Sequence, residues 1–143
     1  MSILNRDIID ARIQKIRISA NKLKRYVNMS YDEFVEDSDN IDIAERNLEL
    51  AIEAMLDIGN HIIASLCFEK PNDYFDIVIT LGRHKVIPND FAQKVAPLAG
   101  LRNRLVHDYL GINYKTLHKN IKESLLDFET FSKEILSFVE KTK

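Results

Sequence analysis

Apolar residues recur every three or four positions along almost the whole chain, and no stretch alternates apolar and polar residues with the two-residue period of a strand. The pattern predicts an all-α protein. Ile8, Ile9, Ile13, Ile16, Leu23 and Val27 mark a first helix over about 4–27. Ser30-Tyr31-Asp32-Glu33 has the form of a capping box and opens a short helix near 31–36. Asp37-Ser38-Asp39-Asn40 is a break rich in N-cap residues. The longest stripe follows, from Ile41 through Leu48, Ile52, Met55, Ile58 and Ile62 to Leu66, and predicts a helix over about 40–67. Pro71 and Asn72 open a helix that runs to about Gly82, where Gly82-Arg83-His84 reads as its C-terminal end. Pro88 opens another, which Pro97 kinks or divides by removing a backbone hydrogen bond and crowding the carbonyl four residues back. Leu117, Ile121, Leu125, Phe128, Phe131, Ile135 and Phe138 predict a last helix over about 114–141. Long antiparallel helices with short connections pack as a bundle, here of four main helices plus a short one.

Composition adds few constraints beyond this. At 143 residues the chain reads as a single domain over 1–143. A chain of this length buries roughly 68–70% of its unfolded surface, enough to hold a core without disulfides or a structural metal. Cys67 is the sole cysteine and cannot form an internal bridge. No charged start leads into an apolar segment and no apolar run approaches 18 residues, so the expectation is a cytoplasmic protein with no membrane partner.

Charge is more informative in its distribution than in its total of −2. Over residues 1–26, Arg6, Arg12, Lys15, Arg17, Lys22, Lys24 and Arg25 stand against Asp7 and Asp10, a net +5. Residues 31–57 carry ten acidic side chains against Arg46 alone, a net −9. Arg83, Lys85, Lys94, Arg102 and Arg104 then return the sign to positive, opposed only by Asp90. Solvated helix faces of alternating sign account for this; a basic strip for a polyanion and an acidic face for a partner protein are the sharper reading.

Most candidate chemistry falls on spacing. His61, His84, His107 and His118 form no HxxxH or HExxH pair and no second Cys exists, so no metal site is expected. Asp57 and His61 share a helical face, most simply as a structural hydrogen bond, and Cys67 reads as a small core residue. The segment Leu101-Arg102-Asn103-Arg104-Leu105-Val106-His107-Asp108-Tyr109 is different. Leu98, Leu101 and Leu105 share the core stripe, Arg102 and Tyr109 border it, and Asn103 and His107 lie four apart on another face. Such a strip offers a guanidinium for phosphate, an amide for positioning and an imidazole that exchanges a proton near neutral pH.

Arg102-Asn103, His107 and Tyr109 together resemble the RNxxxHxY motif of the HEPN superfamily, specifically the HepT-like toxins paired with minimal nucleotidyltransferase (MNT) antitoxins. Glu45-Arg46-Asn47, the segment from Asp57 to Ile63, Pro71 through Leu81, Val86-Ile87-Pro88 and Ala99 to Asn103 resemble the same family in the same order, so the likeness spans nearly the whole chain. The resemblance implies a HEPN-like helical bundle and a metal-independent endoribonuclease toxin of a type II/VII-like toxin–antitoxin pair. It also implies a symmetric dimer with no cofactor, and silencing by adenylylation of Tyr109 by the nucleotidyltransferase partner.

Metal-free RNA cleavage through the ribose 2′-OH needs a base, an acid and positive charge on the phosphorane. One motif supplies one histidine, and an isologous dimer brings His107 of both chains near one phosphate. Arg102 then neutralises developing charge and Asn103 orients the phosphate or the imidazole. Arg104 and Arg46 are the candidates for holding the RNA backbone, with Arg102 and Arg104 of both chains expected in one basic groove. Transfer RNA and messenger RNA both stand open as targets. The alternative is a non-catalytic helical module that binds a nucleotide or docks a nucleotidyltransferase.

Overall fold

The longest apolar stripe becomes the helix that the others surround. In the computed structural model, which describes residues 4–107 and 113–142, α3 (Ser38–Ser65) buries Ala44, Leu48, Ala51, Ile52, Ala54, Met55, Leu56, Ile58, Ile62 and Ile63. So broad an apolar face must be covered, while Asp39, Asp42, Arg46, Asp57 and Asn60 on the opposite side stay exposed. Against it pack α1 (Arg6–Leu23), the short α2 (Tyr31–Glu36), α4 (Tyr74–Arg83), α6 (Pro97–His107) and α7 (Tyr114–Lys141), with α1 making the most extensive contact. The remaining helix, α5 (Asn89–Val95), packs mainly on α4. No strand occurs among the described residues, and no described helix is long and apolar enough to cross a membrane.

Local chemistry sets the boundaries. Asn5 caps α1, its side chain accepting from the Ile8 amide at 3.2 Å. The helix closes at Leu23 and tightens into a 3₁₀ turn over Lys24–Tyr26, so the expected 4–27 helix is shorter at both ends. Ser30 caps α2 as expected: its hydroxyl accepts from the Glu33 amide and donates to the Glu33 carboxylate, both at 3.1 Å. Asp37 caps α3 through the Asp39 amide at 3.0 Å, so the break yields its cap and the helix starts at Ser38. Pro71 and Asn72 do not open α4. Asp73 caps it through the Asp76 amide at 2.8 Å, while Asp76 accepts from the Asn72 amide at 2.9 Å. Pro97 divides its segment, standing at the first position of α6, where its missing N–H costs nothing.

One helix end agrees with the sequence reading and one corrects it. α4 closes at Arg83 with His84 as its cap, inside the expected Gly82-Arg83-His84 end; Lys85 takes the left-handed conformation there (φ 59°) and the Val86 amide bonds back to Leu81 at 2.9 Å. A Cβ on Gly82 would lie 2.5 Å from the Ala92 Cβ, so this glycine serves the close approach of α4 and α5. Cys67 plays the part of Lys85 at the end of α3 (φ 57°), with the Phe68 amide bonding Ile63 at 3.0 Å. It is exposed rather than a core residue, because it falls beyond the last turn of the stripe. The strap that follows is held by Glu69, which bonds Arg83 and, at 2.7 Å, His84, whose ring stacks on Phe68. Its own backbone amide first, then His84 and Arg83, hold the Glu69 carboxyl down at about 2.

Gly82→Ala is expected to destabilise the protein by about 1–3 kcal/mol through overpacking. Lys85→Gly is expected to stabilise it by up to about 1 kcal/mol by relieving the left-handed residue. Urea denaturation measures both; a neutral Gly82→Ala would show that α4 and α5 can separate without loss.

Candidate functional site

Arg102 leaves α6 toward α3 and α4. Its side chain is 18% exposed, with Nη2 3.1 Å from Glu53 Oε1 on α3. Nη1 donates to Asn103 Oδ1 at 3.3 Å, and the guanidinium carbon lies 5.1 Å from the centre of the Tyr74 ring. Three elements therefore fix one cation by an ion pair, an amide and a ring face. A guanidinium has five N–H donors, so these contacts leave capacity for a phosphate.

Tyr74 borders two clefts. One, of about 270 Å³, is lined by Glu53, Leu56, Asp57, Tyr74 and Arg102. The other, of about 530 Å³, includes Asn60, Lys70, Asn72, Tyr74 and Asn103. Glu53, Tyr74, Asn60 and Lys70 were not singled out by sequence reasoning. The available signals were a carboxylate on an apolar helix and an aromatic pair, Tyr74-Phe75, directly after a cap residue.

Arg104 goes elsewhere. Two residues on from Arg102 it is rotated about 200° around the helix, and it lines a slot of about 170 Å³ with Leu48, Asn113, Thr116, Asn120 and Ser124. Within one chain the two arginines flank α6 rather than sharing a groove. Arg46 pairs with Glu49 one turn along α3 and is mostly exposed. His107 closes α6, three residues after Arg104 and four after Asn103; its side chain, like the whole of Tyr109, lies outside the described residues.

The other polar groups are structural. Asp57 does not partner His61: it pairs with Arg12 Nε at 3.3 Å, while His61 Nε2 accepts from the Asn5 amide at 3.0 Å. Both tie α1 to α3. His118 bonds the Tyr26 carbonyl at 3.1 Å and stacks on Phe34. Of the N-terminal basic strip, Arg6 pairs with Asp10 and Glu140, whereas Arg17 and Lys24 edge a groove of about 750 Å³ with Lys122 and Lys133 of α7, beside exposed Ile18 and Leu126. No group of three or more His, Cys, Asp or Glu is placed to hold a metal ion among the described residues.

A family model described as ribonuclease HepT-like matches residues 16–135. The chain is 32% identical over 132 residues to the tRNA nuclease HepT of Aphanizomenon flos-aquae, spanning 92% of this chain and 90% of that protein. It is 30% identical over 124 residues to the mRNA nuclease HepT of Shewanella oneidensis, spanning 85% and 93%. Its fold matches that of a tri-AMPylated Shewanella oneidensis HEPN toxin, solved in complex with an MNT antitoxin, with a TM-score of 0.84 and 28% identity over 93% of this chain and 99% of that one.

The Arg102–Glu53 pair is expected to couple α6 to α3. A double-mutant cycle with Arg102→Ala and Glu53→Ala should give an interaction of about 1 kcal/mol in urea denaturation; strictly additive losses would mean that the pair holds nothing in place.

Proposed function

The chain belongs to the family of HepT-like ribonucleases, and from that membership we propose that it is an endoribonuclease toxin that cleaves RNA as a symmetric dimer. The observation that carries the reading is Arg102, held by Glu53 and Tyr74 with Asn103 beside it, on the helix that ends at His107. A cation so oriented meets the phosphorane without reorganising, which is where electrostatic catalysis gains most. The nucleophile is the ribose 2′-OH. His107 of one chain removes its proton and the His107 of the second chain protonates the departing 5′-oxygen, leaving a 2′,3′-cyclic phosphate and a 5′-OH. No metal enters. Asn103 orients the phosphate, while Arg104, on the other flank of α6, and Arg46 contact the RNA backbone at a distance from the cut.

The partner in this reading is a nucleotidyltransferase antitoxin that transfers AMP to the Tyr109 hydroxyl. The AMPylated HEPN toxin bound to its MNT antitoxin in Shewanella oneidensis supports it. An added phosphate near the motif excludes RNA by occupancy and by like-charge repulsion.

His107→Ala is expected to lose about 10²–10⁴-fold in cleavage rate while keeping the wild-type helical signal and dimer mass, and EDTA should leave the wild type unaffected. Cleavage abolished by EDTA, equal cleavage of a 2′-deoxy substrate, or growth arrest undiminished in His107→Ala would each refute the mechanism. For the switch, intact mass after incubation with the partner, ATP and magnesium should show AMP-sized additions on the wild type and none on Tyr109→Phe, which should still arrest growth. Additions that persist on the phenylalanine variant would place the modification elsewhere.

A further inference from the structure

We propose that the cleft beside Tyr74 seats one unpaired base of the RNA, stacked on the Tyr74 ring next to the cleavage site. This rests on the ribonuclease reading above. Tyr74 is 41% exposed at the first position of α4, and Phe75 beside it is 48% exposed. An aromatic ring is normally among the first groups a core claims, so an exposed one amid polar neighbours asks for a ligand with a flat apolar face. Arg102 already lies against this ring, and the same ring borders the larger cleft, so it joins the motif's cation to a cavity of about 530 Å³.

The surroundings favour a nucleotide. Asn60 presents an amide, with two donors and an acceptor, to whatever edge a base offers, while Asn103, whose Oδ1 already accepts from Arg102, keeps its NH₂ for the phosphate. Lys70 supplies a cation for a neighbouring phosphate. Asn103 is one residue from Arg102 and four before His107, so a base held here belongs to a nucleotide at or beside the scissile bond. The groove between α1 and α7 lacks this chemistry: its exposed apolar groups are the aliphatic Ile18 and Leu126, which cannot stack a base. Stacking tolerates any base but not a paired one, so the cleft selects single-stranded RNA and leaves sequence preference to the Asn60 amide.

The test uses the full chain, a fluorescein-labelled single-stranded 2′-O-methyl RNA octamer for binding, and the unmodified octamer for cleavage. Tyr74→Ala should weaken binding and raise KM about 5- to 150-fold, the range for losing one base–aromatic stack, with the loss in KM rather than kcat. Tyr74→Phe, which keeps the ring, should recover most of that loss, whereas Tyr74→Leu, which keeps the bulk, should not and serves if the alanine variant does not fold. Lys70→Ala should lower the salt dependence of binding. A wild type that cleaves while Tyr74→Leu keeps its KM overturns this inference alone. A loss confined to kcat also overturns it, making Tyr74 a support for Arg102 and no more. A wild type that binds the octamer through Tyr74 but does not cleave sustains the cleft and overturns the nuclease; one that neither binds nor cleaves overturns both.

Discussion

The enclosure of α3 is the constraint on which the rest of the structure depends. A helix with so broad an apolar face must have that face covered, so five other helices pack on it and their places are set by where its side chains project. Each fully buried Leu, Ile or Phe contributes roughly 1.5–3 kcal/mol, and α3 alone buries Leu48, Ile52, Ile58 and Ile62 with almost no exposed surface. Polar residues on such a helix must find partners. Asn47 donates to the Ile43 carbonyl at 2.8 Å, Asp57 takes Arg12, His61 accepts from the Asn5 amide, and Glu53 takes Arg102. Three of these four tie another element to α3, and the fourth bond stays within it.

The site follows from the same arrangement. Glu53 meets α6 where α3 emerges beside α4, and it turns a mobile guanidinium into a fixed one. The far end of α4 is anchored by several contacts. The Glu69 strap, the left-handed Lys85 and the glycine contact with α5 leave α4 little freedom to slide. Tyr74 is the consequence: an aromatic at a capped helix start that meets Arg102 and also lines the cleft holding Asn60, Lys70 and Asn103. A guanidinium held in this way is preorganised charge, which acts on a phosphate without first having to reorient.

Charge is spent unevenly across the molecule. Much of the acidic stretch between 31 and 57 serves helix starts and ion pairs: Asp37 caps α3, Glu33 answers the cap of α2, and Glu49, Glu53 and Asp57 pair with arginines. The N-terminal basic strip divides likewise between ion pairs and the rim of the α1/α7 groove. Net charge over a segment therefore overstates what is free for a partner, since pairing neutralises it locally and solvent screens the remainder.

Helical class, most helix spans, the capping box at Ser30 and the division at Pro97 were legible in the sequence, because period and local capping are short-range chemistry. The errors have a common origin. Cys67 reads as a core residue until the chain turns left-handed there, and Asp57 and His61 as a pair until α1 supplies each a better partner. Glu53 and Tyr74 carry no motif, and 49 and 28 residues separate them from Arg102 in the sequence. Only tertiary packing brings them within 3.1 Å and 5.1 Å of that guanidinium. It likewise sends Arg102 and Arg104 to opposite flanks of α6, since a helix turns about 100° per residue and the core decides which flank faces which neighbour.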